Sequence, residues 1–213
     1  GKNQIGTFYQ PKEVLIDISI LNSLPKKEMR SGYAEIVKHA LIKDYKFFCW
    51  LEENANKLLN LNKSILEQAI YKSIMIKLYY VIKDEKEFLS NNNSRAMLNF
   101  GHTIGHAIES HYNYQKFNHG EAISIGMITE AKISNYLGLL SSKELEKIII
   151  HFKKCRLKIY DKILKDRILI KILAKDKKNF QNNINFSLIK QIGSSIFYKK
   201  LDKYQVYKIL KNI

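Results

Sequence analysis

Arg95, Asn99, His102 and His106 recur at spacings of four, three and four residues in the run SRAMLNFGHTIGHAIE. On an α-helix of about 3.6 residues per turn, such positions share one stripe. A helix stripe is usually apolar or a loose mixture of charges. This one sets a guanidinium, a carboxamide and two imidazoles side by side, while Leu98, Ile104, Ala107 and Ile108 are left to pack the helix elsewhere. That combination suits a metal ion next to an anionic, hydroxyl-rich ligand. An HxxxH pair alone is weak evidence, because surface and core histidines at that spacing are common. Gly101 and Gly105 strengthen it. Each glycine weakens a helix by about 1 kcal/mol relative to Ala, so the pair needs another reason. Close approach of a ligand or of a second helix would supply one.

A catalytic zinc site usually has three protein ligands and an open position. His119, in KFNHGEAISIGM, is the nearest further imidazole and precedes an apolar, helix-like stretch. Glu35, in SGYAEIVKHALI, is the best carboxylate, with Lys38 one turn on along the same face. A solvated Glu–Lys pair is the plain alternative there. Lys77 continues an inward stripe of Leu66, Ala69, Ile70, Ser73 and Ile76. Lysine is rarely buried without a partner, although its stem can snorkel to the surface.

The elements that must carry these residues read as mainly helical. Helical patterns cover roughly 27–43, 46–60, 64–83, 96–111, 120–138, 142–155 and 160–173. EVLID is a strand candidate after the Gly- and Pro-containing opening, and SNNNS at 90–94 is a loop. NFSLIKQIG and SSIFYKK read as two strands before a last helix near 202–211. The 213 residues can bury one substantial core, or one domain plus a small appendage. No stretch is apolar and long enough to span a membrane, and no signal peptide opens the chain. Cys49 and Cys155 are only two and far apart, which argues against a disulfide framework and for a reducing cytoplasm. The net charge of +16 invites a nucleic-acid reading. We discount it, because the excess is nearly all lysine, spread along the chain and not gathered into an arm or an aromatic-interleaved patch. Some of it can still collect anionic substrates.

RAMLNFGHTIGHAIE, NHGEAISIGM, GYAEIVKHALI and the opening GKNQIGTFYQPKEVLID together resemble the 3-dehydroquinate synthase family of sugar phosphate cyclases. The likeness keeps its order from Gly1 through the middle of the chain, and returns at AKDKKN and near the C-terminus. The stretch from about Leu139 to Leu173 is generic. The resemblance implies the C-terminal helical domain of a two-domain α/β + α enzyme, mainly α with a few short strands. Residues 1–26 would be the domain junction and the edge of the cofactor site, and 27–213 the metal- and substrate-binding domain. The N-terminal dinucleotide-binding domain is expected to be absent, since GKNQIG is too short for a strand–glycine-rich turn–helix unit and lacks the preceding strand. The chain could be a truncated piece, half of a split gene or a decayed gene.

The reaction implied is NAD- and zinc-dependent conversion of 3-deoxy-D-arabino-heptulosonate 7-phosphate to 3-dehydroquinate and phosphate, in the shikimate pathway. Glu35, His102 and His119 would hold Zn²⁺, or Co²⁺ in its place. Lys38, Lys77, Arg95, Asn99 and His106 would fix the carboxylate, hydroxyls and phosphate. Lys38, Asn99 and His106 are the catalytic candidates, His106 as a proton carrier. Asn3, Lys177 and Lys178 would also touch substrate, the lysine pair as a lid; a flexible charged turn is the plain alternative for that pair. Lys2, Ile20, Leu21, Asn22 and Ser23 would line NAD. The segment FLSNNNS before Arg95 is a few residues longer than the family pattern, a departure that falls on the lid-like region near Lys77 and Arg95. The expected partners are a small anionic sugar phosphate, an N-terminal NAD-binding domain and a second copy in a homodimer when complete, with no nucleic acid and no membrane. The alternatives are a related sugar phosphate cyclase or polyol dehydrogenase, and a non-catalytic remnant.

Overall fold

The computed structural model describes residues 9–175 and 183–212. Helices dominate it. In chain order they are α1 (Lys26–Lys43), α2 (Tyr45–Leu59), α3 (Lys63–Lys83), α4 (His102–His111), α5 (His119–Tyr136), α6 (Ser142–Lys154) and α7 (Arg167–Lys175). A hairpin of β1 (Asn183–Gln191) and β2 (Ser194–Asp202) follows, then α8 (Lys203–Asn212). Short 3₁₀ helices stand at Ile18–Ser23, Arg95–Asn99 and Lys162–Lys165. No helix among the described residues is long and apolar enough to cross a membrane.

Local signals set the helix starts. Asp44, Asn62 and Ser141 each turn a side-chain oxygen onto the first-turn N–H groups of α2, α3 and α6. Asn118 does the same for α5 and completes a capping box with Glu121. His119 is thereby the first residue of α5.

α5 organises the interior. Ile123, Met127, Ile128 and Ala131 belong to one apolar core with α1, α2, α3 and α6. Ala122, Ile125 and Ile133 belong to a second, with α4, α7, α8 and β1. A helix apolar all round has to be buried, and α5 is the helix between the two cores. β1 pairs antiparallel with β2, burying Ile184, Phe186, Leu188 and Ile189.

Three expectations need correction. The helix expected over 96–111 is two elements. Arg95–Asn99 is a 3₁₀ turn, Gly101 takes φ +81°, and α4 begins at His102. That left-handed backbone suits glycine. The packing asks for it too, because a Cβ on Gly101 or Gly105 would run into Met127 or Ile123 of α5. Of the two reasons considered for these glycines, the one visible here is a second helix. The helix expected over 160–173 is likewise broken, at Asp166, into a 3₁₀ turn and α7. EVLID forms no strand, and no strand among the described residues pairs with it. Sequence alone supplied its β-type composition but no ladder partner.

Candidate metal and substrate site

α1, α4 and α5 each bring one ligand-type side chain to a single point. Glu35 comes from the middle of α1, His102 from the first position of α4 and His119 from the first position of α5. Their ligand atoms all lie within 4.8 Å of one another. The Glu35 Oε1 stands 3.6 Å from His102 Nε2 and 3.8 Å from His119 Nε2. It is buried and accepts no hydrogen bond among the described residues. Its twin, Oε2, accepts from Lys38 Nζ at 2.6 Å.

Both imidazoles are turned by their other nitrogen. His102 Nδ1 lies 3.2 Å from the Phe100 carbonyl, and His119 Nδ1 lies 3.0 Å from Glu109 Oε1. With Nδ1 donating, each Nε2 keeps its lone pair toward Glu35. This is how a metal-binding histidine is normally held. Burial pushes the Glu35 carboxyl up, but the Lys38 ammonium, supported by His102 and His39, outweighs it and holds the group down at about 2. Burial, then the Lys38 charge, push the His102 imidazole down to about 3 against the pull of Glu35. An ionised carboxylate beside a neutral imidazole is the protonation state a divalent cation requires of its ligands. The residues present therefore fit a metal ion.

A cavity of about 970 Å³ opens beside this point, and Glu35, Lys38, Lys77, Arg95, Asn99, His102 and His106 all line it. His119 is not in its lining but its ring lies 5.4 Å from that of His102. Lys77 reaches the cavity from the C-terminal half of α3 and is exposed there, not turned inward as its place on the stripe suggested. Arg95 is anchored from behind. Its Nη1 donates to the Glu85 carbonyl at 2.8 Å and its backbone N–H to Asp84 Oδ2 at 3.0 Å. Asn99 Nδ2 donates to Glu87 Oε1 at 3.0 Å. The break at Gly101 therefore does not scatter the four residues of the opening stripe; it delivers them to one cavity from two elements.

Several contributors escaped the sequence reading. Asp84 is buried and collects the N–H groups of Phe88, Leu89 and Arg95 and the Ser94 hydroxyl, which ties down the long 85–94 loop. β1 and β2 form one wall through Asn185, Phe186, Ser187 and Phe197; Thr103 Oγ1 donates to the Asn185 carbonyl and Ser187 Oγ to that of Ala96. Glu130, fully buried on α5, accepts from the Gly101 N–H at 2.6 Å and the Ile104 N–H at 3.2 Å. None of these is visible from spacing, because each partner is distant in sequence. Glu109 was legible: it stands three residues after His106 and seven after His102 on the same face of α4.

Ile20–Ser23 sit in the exposed 3₁₀ turn before α1, away from the cavity lining. Among the described residues no glycine-rich strand–turn–helix cradles a dinucleotide, so these residues alone do not fit NAD. Lys2, Asn3, Lys177 and Lys178 lie outside the described residues.

The helical fold that brings Glu35, His102 and His119 to this cavity is shared with solved sugar phosphate cyclases. The fold matches 2-epi-5-epi-valiolone synthase from Streptomyces hygroscopicus subsp. jinggangensis, solved with NAD⁺ and Zn²⁺ bound, at a TM-score of 0.84 and 22% identity over 99% of this chain and 58% of that one. It also matches 2-deoxy-scyllo-inosose synthase complexed with carbaglucose-6-phosphate, NAD⁺ and Co²⁺, at a TM-score of 0.69 and 25% identity over 100% of this chain and 59% of that one. The family model for the 3-dehydroquinate synthase C-terminal region matches residues 32–179, and that for the N-terminal region matches residues 1–31. The chain is 42% identical over 211 residues to the 3-dehydroquinate synthase of Thermodesulfovibrio yellowstonii and 40% identical over 216 to that of Pelagibacter ubique. It belongs to the 3-dehydroquinate synthase family. It covers 58% of the length of each of those two relatives, with 99% of its own length matched.

Proposed function

We propose that this chain is the metal- and substrate-binding part of a 3-dehydroquinate synthase, acting on 3-deoxy-D-arabino-heptulosonate 7-phosphate to give 3-dehydroquinate and phosphate. The observation that carries the reading is the orphaned Glu35 Oε1 facing two Nε2 atoms beside a cation-lined cavity. Glu35, His102 and His119 would hold zinc, or cobalt in its place, leaving positions for substrate hydroxyls. When bound, the metal supplies a Lewis acid and NAD⁺ a reversible hydride acceptor. Lys38 keeps the Glu35 carboxylate ionised and presents its ammonium to the cavity. Arg95 offers a planar fork to a carboxylate or phosphate, Lys77 a point charge, and Asn99 a carboxamide to a hydroxyl. His106 is placed to carry a proton to or from substrate.

In this reading residues 1–26 form the domain junction and cofactor-site edge, with Lys2 and Ile20–Ser23 at the nucleotide, and 27–213 form the helical domain. Asn3, Lys177 and Lys178 would complete the substrate site. The greater part of the NAD site is supplied by an N-terminal domain, and the complete enzyme is a homodimer. Cys49 and Cys155 are both free, which suits the reducing cytoplasm we assign it.

Phosphate release from the heptulosonate phosphate, with NAD⁺ and zinc, tests this directly. Turnover is expected only when an N-terminal domain is supplied. Robust turnover by the 213 residues alone would overturn the domain division. No turnover with a well-folded partner domain would support a non-catalytic remnant, and a different product would assign a related cyclase.

A further inference from the structure

We propose that Glu109 is the positioning residue of the metal centre: it fixes the His119 tautomer that turns Nε2 to the metal. This rests on the reading of Glu35, His102 and His119 as the metal ligands.

Glu109 lies in the last turns of α4 and is only 7% exposed. A carboxylate is rarely buried without a compensating partner. Among the described residues its ion-pair partners are two imidazoles: Oε1 lies 3.0 Å from His119 Nδ1, and Oε2 lies 4.0 Å from His106 Nε2. An ionised carboxylate only accepts hydrogen bonds. With Glu109 as the acceptor, Oε1 at 3.0 Å takes the hydrogen bond from a proton that His119 carries on Nδ1. Its Nε2 is then the lone-pair nitrogen, and that is the atom 3.8 Å from Glu35 Oε1. The same logic holds at His102 through the Phe100 carbonyl, but a peptide carbonyl is a neutral acceptor and a weaker one.

His119 needs the stronger hold. It is 46% exposed, against 12% for His102, and it stands at the start of its helix. Without an acceptor at Nδ1 it has little to choose between tautomers or ring rotations. His106, Glu109 and His119 are themselves close enough to bracket a cation. The 3.0 Å approach of Glu109 to Nδ1 favours a hydrogen bond over a second metal. Across the other oxygen, His106 Nε2 stands 4.0 Å away, an ion-pair distance and not a hydrogen bond.

The test compares the full chain with Glu109→Met, close in size but without an acceptor, and Glu109→Gln, which keeps an amide oxygen. Long-range ¹H–¹⁵N correlation spectra of the metal-free proteins read the His119 tautomer. The expected result is Nδ1–H in wild type and Glu109→Gln, and loss of that preference in Glu109→Met. Zinc affinity by chelator competition is expected to fall by about 10- to 100-fold in Glu109→Met and by less in Glu109→Gln, with one zinc bound at saturation throughout. An Nε2–H tautomer in the wild type, or unchanged zinc affinity in Glu109→Met, overturns the proposal alone. Two zinc ions in wild type falling to one in Glu109→Met would make Glu109 a ligand and also overturns it. A wild-type chain that takes up no zinc removes the metal reading and this proposal together.

Discussion

Glu35 Oε1 is a buried acceptor that finds no donor among the described residues, although its twin oxygen holds Lys38. An orphaned buried polar atom costs about 1–3 kcal/mol, and a cation at the meeting point of Glu35, His102 and His119 would relieve it. Replacing His102 by Ala is expected to abolish stoichiometric zinc binding in the purified protein. Elemental analysis showing unchanged zinc would remove the assignment. Arg95 makes a second test. One guanidinium nitrogen is spent on the Glu85 carbonyl, which aims the rest of the fork into the cavity. Lysine keeps the charge but cannot hold a loop carbonyl and a bidentate anion together. In an enzyme completed with its N-terminal domain, Arg95→Lys is expected to lower kcat/KM about 10- to 100-fold, the worth of a charged hydrogen bond. Equal kcat/KM would rule out the fork.

The break at Gly101 divides the labour between elements: the 3₁₀ turn carries Arg95 and Asn99, and α4 carries His102 and His106. Gly101 has no side chain to cap α4, so Glu130 caps it from α5. Burial pushes the Glu130 carboxyl up to about 8, against the N–H groups of Gly101, Ile104 and Thr103. Glu130→Ala strands two buried donors and is expected to lower unfolding free energy by roughly 2 kcal/mol or more, with Glu130→Gln retaining part of it. Urea titrations with unchanged midpoints would show that the cap is dispensable. Sequence made the helices and the hairpin legible because hydrophobic period and capping residues are local. It also yielded Glu35, His102, His106 and His119 as chemistry-bearing residues. It missed the Gly101 break, because the residues that forbid a Cβ there, Ile123 and Met127, lie on another helix. It missed Asp84, Glu130 and the hairpin wall for the same reason: each acts on partners brought close only by the fold.

At the scale of the whole molecule, stability and association follow from what is buried and what is not. His151 on α6 packs against Tyr33, whose hydroxyl lies 2.9 Å from Nε2, with Phe48 and Cys155 beside it. Burial, then the charges of Lys154 and Lys147, push its imidazole down to about 4. Unfolding returns it to about 6.5, so the unfolded chain binds the extra proton between those values. Its contribution is complete above about pH 6.5 and lost as pH falls toward 4, at roughly 1.4 kcal/mol per unit of displacement. His39, pushed down to about 3 mainly by burial and then by Lys38, acts in the same sense. Chemical denaturation across pH 4–7 is expected to show a shallower slope for His151→Gln than for wild type; parallel curves would refute the assignment. On α3 the face opposite the core is also apolar: Tyr71, Met75, Leu78 and Ile82 are 65%, 48%, 43% and 77% exposed. Exposed apolar patches of this kind promote association. Sedimentation velocity is expected to show concentration-dependent association that the Met75→Lys, Leu78→Lys double variant reduces; identical profiles would clear α3 of that role.

Glu35 lies on α1, far along the chain from His102 and His119, which begin the successive helices α4 and α5. A metal held by them acts as a removable cross-link. It closes the long loop between α1 and α4 and the short one between α4 and α5, so its binding energy is added to the stability of the three helices it connects. Chelation should therefore lower the melting temperature of the entire chain in one cooperative step, with hydrogen exchange quickening in α1, α4 and α5 together rather than at the ligands alone.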